Sequence, residues 1–176
     1  SILVIGGVTN PGMYTVNGGA HMLYLLRAAG GIDENGSYRS IQVKRGNKII
    51  TTFDLYDVLI EGNLQFSSRM RSGDVVIVSP RKAEISVTGG VAYPGIFEIT
   101  KNETVADALR YAGYPKPSSQ TSVEVSRIVG MGRETIEVPL RNINNFVLQN
   151  TDSIRVTSFS AFSKPMKEVI LQGEVV

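Results

Sequence analysis

The chain repeats itself, and the repeat limits what it can fold into. Residues 2–16 read ILVIGGVTNPGMYTV and residues 85–99 read ISVTGGVAYPGIFEI. Ile2 aligns with Ile85, an offset of 83 residues, and no gap is needed as far as Gly30 and Gly113. Identities include Val4/Val87, Gly6/Gly89, Gly7/Gly90, Pro11/Pro94, Gly12/Gly95, Leu26/Leu109, Arg27/Arg110 and Ala29/Ala112. A unit of about 80 residues is too long for a solenoid repeat and suits a small domain. The last residues, Val169–Val176, fit the opening strand once more, with Gly173 on Gly89 and Val175 on Val91. The expected organisation is one domain over 1–80, a second over 84–158, and over 168–176 the first strand of a truncated third repeat. The sequence thus reads as a piece of a longer chain, so a missing targeting signal carries no information. Tandem copies of one small domain point to binding or scaffolding, because catalysis rarely needs two equivalent units in a row.

Each copy reads as the same succession of elements. Copy 1 opens with an apolar strand, Ile2 to Val8. The turn TNPG follows, where Pro11 presets φ and Gly12 is expected at positive φ, as in a type II turn. Met13–Val16 then pairs back to make a hairpin. Copy 2 repeats this with AYPG and Ile96–Ile99. Helices are expected near residues 20–29 and 103–112. Met22, Leu25, Leu26 and Ala29 make an apolar face in one, and Val105, Ala108, Leu109 and Ala112 make it in the other. Asn102 or Thr104 can cap the second helix, and Gly30 and Gly113 end the two. Alternating strands follow at Ile41–Arg45 and Val123–Arg127, then strands at Lys48–Leu55 and Glu134–Leu140. A variable stretch comes next, seven residues shorter in copy 2. Final strands lie over Val75–Val78 and Ser153–Val156, each preceded by an aspartate, Asp74 or Asp152, placed to bond the turn backbone. Pro80–Ala83 is a short linker. One helix on a mixed sheet is an α+β arrangement, here tandem β-grasp (ubiquitin-like) domains.

Copy 1 carries Gly6–Tyr14 in the order G-x-V-x-x-P-G-x-aromatic, then Ala29-Gly30-Gly31, Asp54-Leu55 with Leu59, and Gly73-Asp74 before Val75–Val78. This string resembles the soluble-ligand-binding β-grasp (SLBB) family. Copy 2 departs from it where Gly31 becomes Tyr114, Asp54 becomes Pro139 and Gly73 becomes Thr151. Tandem copies of this kind are similar to the periplasmic part of bacterial outer-membrane polysaccharide export proteins. That resemblance implies a periplasmic, outer-membrane-associated location and partners of three kinds. These are a polysaccharide, further copies of the chain in a ring-like oligomer, and an inner-membrane export or co-polymerase protein.

The residues themselves offer little chemistry for catalysis. The chain has no cysteine and one histidine, His21, which Thr104 replaces in copy 2. His21 reads as a polar first-turn helix residue, and a zinc site would need carboxylates that do not cluster. Asp54/Asp57 or Glu134/Glu137 can supply the carboxylate pair of a glycosidase. Neither pair recurs in the other copy, so both read as surface charge. Gly6-Gly7 and Gly89-Gly90 lack the Lys-Ser/Thr of a phosphate loop and fit a bulge or close backbone approach. No catalytic residue, metal or cofactor is expected. The net charge of +2 is small and scattered, unlike the footprint of a nucleic-acid binder.

Aromatic residues are the better lead, because sugars stack on flat aromatic faces. Tyr14 and Phe97 match each other and are assigned to the core. Tyr93 stands at a hairpin tip, where copy 1 has Asn10, and Tyr38 and Tyr114 lie in or beside the polar loop after each helix. Loop tips on a rigid scaffold are where binding residues concentrate. Arg45 and Arg127 match across the copies and can hold an anionic sugar, or simply be solvated strand ends. The ligand-binding candidates are therefore Tyr93, Tyr38, Tyr114, Arg45 and Arg127. The expected function is a non-enzymatic periplasmic segment of a capsule or exopolysaccharide export protein, contributing to a multimeric conduit and contacting the glycan. A β-grasp module for DNA or a small cofactor, and a pure structural spacer, remain as alternatives. An aromatic-lined cleft favours the sugar, a basic stripe favours DNA, and a featureless apolar surface favours assembly.

Overall fold

The computed structural model describes residues 1–16, 21–63, 70–114 and 121–158. The third-repeat strand expected over 168–176 lies outside them. The first half holds β1 (Ile2–Gly6), β2 (Gly12–Tyr14), α1 (Met22–Ala28), β3 (Gly36–Arg45), β4 (Lys48–Phe53), α2 (Leu55–Leu59) and β5 (Asp74–Pro80). The second holds β6 (Glu84–Gly89), β7 (Gly95–Glu98), α3 (Val105–Tyr111), β8 (Thr121–Val129), β9 (Gly132–Val138) and β10 (Ser153–Ser158), with a 3-10 turn at Leu140–Asn142. The sheets run β2-β1-β5-β3-β4 and β7-β6-β10-β8-β9, the same order twice. In each, the last strand returns parallel to the first, Val4 beside Val76 and Val87 beside Ile154. The other pairings are antiparallel. Each half is a mixed five-stranded sheet with a helix, the α+β arrangement expected, and both are consistent with tandem β-grasp-like domains.

The helices are short because packing, not propensity, holds them. Met22, Leu25, Leu26 and Ala29 are buried against Val4, Ile41, Val43, Val76 and Val78 of the first sheet. Val105, Ala108, Leu109 and Ala112 are buried against Val87, Val123, Val125, Ile154 and Val156 of the second. Thr104 caps α3 in a capping box with Asp107, and His21 takes the N-cap position of α1. Gly30 and Gly113, at φ +77° and +68°, end the two helices as expected.

The hairpin turn differs from expectation. Positive φ falls on Gly6 and Gly89 at the ends of β1 and β6, both at +90°, and not on Gly12. The loop is not closed on itself. Its backbone is tied to the helix end, with Asn10 N–H donating to Ala29 O at 2.8 Å and Tyr93 N–H to Ala112 O at 2.8 Å. A Cβ on Gly6 would stand 2.0 Å from the carbonyl oxygen of Val78, and one on Gly89 would stand 2.0 Å from that of Val156. The doubled glycines therefore begin where two backbones approach closely, as the strand reading expected.

Tyr14 and Phe97 are half-buried and pack on the edges of their cores. The variable stretch of copy 1 contains α2, which periodicity did not anticipate. Asp54 caps it, accepting from Tyr56 N–H at 2.9 Å. In copy 2 Pro139 stands at that position, and a 3-10 turn takes the place of the helix.

Candidate functional site

The two domains meet where β3 begins and β7 ends. The linker is pinned by Arg81, whose N–H donates to Asn35 O at 2.8 Å and whose guanidinium reaches Glu34 O at 2.5 Å and Glu84 at 2.7 Å. At the end of β7, the buried Glu98 faces the start of β3. One carboxylate oxygen accepts from Ser37 Oγ at 2.6 Å and the other from Tyr38 N–H at 2.8 Å. The backbone N–H of Glu98 in turn donates to Tyr56 Oη at 2.8 Å. A buried carboxylate is costly unless hydrogen-bonded, and here the first domain supplies two donors.

Next to this pair lies Arg39, with a side chain only 9% exposed. Its Nε donates to Asp54 Oδ2 at 2.9 Å within its own domain, and Nη1 crosses to Glu103 Oε1 at 2.5 Å. Tyr111 Oη donates to the same Glu103 oxygen at 2.7 Å. The guanidinium carbon lies 4.6 Å from the Tyr56 ring centre and 5.4 Å from that of Tyr111, and the two rings meet edge to face at 5.0 Å. Burial alone would lower the Arg39 pKa, but the hydrogen bonds to Asp54 and Glu103 outweigh it, and the group is held more firmly charged than free arginine. Burial, and then the bond to Glu103, raise the Tyr111 pKa, so the phenol stays protonated. Arg110 adds an outer ion pair to Glu61 across the same boundary.

Beside the clamp opens a cleft of about 410 Å³. Its walls include Tyr38, Tyr56, Phe97 and Tyr111, with Leu59 from α2 and Ile96 from the edge strand β7. Small-ligand sites are concave and mostly apolar with a few polar groups, and they occur preferentially between domains. Among the described residues there is no cluster of three His, Cys, Asp or Glu side chains to hold a metal. No helix among them is long and apolar enough to cross a membrane.

The sequence candidates are dispersed by the fold. Tyr38 lines the cleft and is 36% exposed. Tyr93, 70% exposed, lies over Gly113 at the end of α3, and the hydroxyl of the exposed Tyr114 approaches Ala106 O at 3.4 Å. Arg45 and Arg127 occupy equivalent places far along their sheets, each gripping a buried aspartate. Arg45 makes two bonds to Asp74 at 2.7 and 2.9 Å, and Arg127 makes two to Asp152 at 2.9 and 2.7 Å. Each aspartate also accepts from its turn, from Arg71 N–H at 2.7 Å and from Gln149 N–H at 2.8 Å. The aspartates do bond the turn backbone, as expected, and the arginines complete that knot.

Reasoning by repeat passed over the junction. Arg39, Asp54 and Tyr56 align with Thr121, Pro139 and Arg141, while Glu98, Glu103 and Tyr111 align with Thr15, Ala20 and Ala28. Asp54, read as surface charge because it does not recur, is a helix cap and holds Arg39, from within the first domain, at the junction. The available signal was the list of positions where the copies disagree. A joint between two copies needs one face from each, and those faces are not equivalent.

Comparison with known proteins gives the family. Residues 1–78 match one model of the SLBB domain and residues 85–139 match another. Two curated relatives, both described as Polysialic acid transport protein KpsD of Escherichia coli, are 36% identical over 159 residues, which is 89% of this chain. The chain spans 28% of the length of those relatives. With two matched domains built on one strand order, the chain belongs to the SLBB domain family.

Proposed function

We propose that the chain is a non-enzymatic stretch of a polysaccharide export protein, periplasmic and associated with the outer membrane, whose SLBB domains contribute to the wall of a multimeric conduit. The observation that carries this reading is the 36% identity, across 89% of the chain, to a protein named for polysialic acid transport. The junction supports it physically. A conduit wall must hold its shape while polymer passes, and the Arg39–Glu103 and Ser37–Glu98 contacts tie the two domains by buried bonds. The partners under this reading are the polysaccharide, further copies of the chain and an inner-membrane export protein. No nucleic acid is among them.

The domain limits 1–80 and 84–158, and a third repeat starting at 168, belong to the same proposal. So does glycan contact, for which Tyr38 is the best placed of the sequence candidates because it lines a cleft. Tyr93 and Tyr114 are exposed and lie outside that cleft, and Arg45 and Arg127 have their main task in the aspartate knots. The test is made in cells that depend on the parent protein for surface polysaccharide. Removing residues 1–158 from it should leave polymer synthesis intact and abolish its appearance at the surface. Normal surface polysaccharide in that strain would refute the reading.

A further inference from the structure

We infer that the cleft at the domain junction is a subsite for a pyranose ring of the glycan, and that it reads the ring rather than its charge. The inference rests on the export reading and names the ligand chemistry of one place within it. Three features carry it. The first is shape: the cleft of about 410 Å³ is formed by both domains. Tyr38, Tyr56 and Leu59 come from one, Ile96, Phe97 and Tyr111 from the other. Neither domain alone would form it.

The second is surface chemistry. Tyr38, Leu59 and Ile96 are all exposed at a site where water could instead have met polar side chains. A pyranose has apolar C–H faces that pack on such rings and branched chains, and hydroxyl groups at its edge that need directional partners. The Tyr56 hydroxyl offers one. Its oxygen accepts from Glu98 N–H at 2.8 Å, and its own hydrogen has no acceptor among the described residues. That hydrogen is free to donate to a sugar oxygen.

The third feature is that each charged group of the cleft already has partners within the protein. Its charged lining consists of Arg81 and Glu98. The terminal nitrogens of Arg81 are engaged by Glu84 and Glu34 O, while its buried Nε has no partner among the described residues, and Glu98 accepts from Ser37 and Tyr38 N–H. A lining with one paired cation and one bonded anion neither attracts nor repels an acidic sugar strongly. Such a grip is weak and indifferent to carboxylates, which suits a polymer that must move past the site and not stay bound.

The test is a titration of the 176-residue chain, followed by NMR, with a tetramer of sialic acid and with uncharged maltotetraose. Both should bind with a Kd on the order of 1 mM, shifting signals of Tyr38, Tyr56 and Ile96. Raising NaCl to about 1 M, where the Debye length is about 3 Å, should leave both affinities within about twofold. Tyr38→Ala and Ile96→Ser should each weaken binding about tenfold, the loss of one good contact. Tyr93→Ala should not change it. Tyr38 holds Glu98 through its backbone N–H, so Tyr38→Ala leaves the clamp in place. Unchanged spectra outside the cleft confirm this for each variant.

Binding that vanishes in salt, or that survives both cleft substitutions, would overturn the inference. So would a failure of both sugars to bind. None of these results bears on surface polysaccharide in cells lacking residues 1–158, so the failure of this site and the failure of the export reading are distinguishable.

Discussion

Arg39 of the first domain and Glu103 of the second share a hydrogen bond of 2.5 Å in a setting where both side chains are largely shielded from water. The same guanidinium is bonded to Asp54, and the same carboxylate receives Tyr111 Oη and Thr100 N–H. The pair therefore ends no chain of contacts. It connects the cap of α2 to the segment preceding α3, a link through which we expect two domains of similar fold to behave as one mechanical unit.

Removing Arg39 tests that unit. Breaking a buried pair strands its partners, here Asp54 and Glu103, at a cost of about 3–5 kcal/mol. We expect Arg39→Ala to lose about 3 kcal/mol, and calorimetry to resolve two transitions where the native chain gives one. A single transition with unchanged midpoint would show that the domains are joined by something else.

The matched leucines test the two cores separately. Leu26 and Leu109 are 4% and 1% exposed and occupy equivalent places on α1 and α3. Leu→Ala at either should cost about 2–5 kcal/mol by lost transfer energy and the cavity left behind. Urea denaturation of each variant measures it.

The close approaches at the strand ends set a third expectation. Gly6→Ala would place a methyl group on the carbonyl oxygen of Val78, and Gly89→Ala on that of Val156, each at a φ of +90° that L-residues avoid. The backbones would have to part, and we expect each change to destabilise by at least about 2 kcal/mol. Equal thermal midpoints for native and variant chains would contradict the geometry.

Acid should weaken the first domain through Asp74. The Arg45 guanidinium holds the Asp74 carboxyl below its ordinary range, with help from Arg71 N–H and against the opposing effect of burial. A group whose pKa is depressed by folding stabilises the native state above its unfolded pKa, about 3.9 for aspartate. That contribution is lost as pH falls through the lower, folded value. Stability measured downward from about pH 5 should therefore fall, and Asp74→Asn should flatten that part of the decline. An unchanged acid limb in the variant would assign the loss to other carboxylates.

Much of the fold was legible because two copies vote on each element. The apolar face of α3, the glycine stops and the aspartate turns recur at fixed offsets and match the structure. Where the copies diverge, the vote fails. Helix α2 was missed because Pro139 replaces its cap in copy 2, and the turn at Gly12 was misassigned because the Asn10 backbone is held by α1 instead of by its own loop. The junction was illegible for a deeper reason. Arg39 is one charged residue in the polar loop before the expected strand Ile41–Arg45 until Glu103, 64 positions later, is brought beside it. Tyr38 was legible as an aromatic in a polar loop, but its neighbours Ile96 and Leu59 were not, since only the docking of two domains makes them one wall.

The claim on which the account turns is that this pair of SLBB domains works in polysaccharide export as one rigid body. The most direct test is the quantity of polysaccharide at the surface of cells whose full-length protein carries Arg39→Ala, with its level and location verified. We predict that polymer is made and retained inside the envelope, with surface polysaccharide reduced severalfold. Full surface polysaccharide from a normally abundant variant, shown by calorimetry to have uncoupled domains, would contradict it.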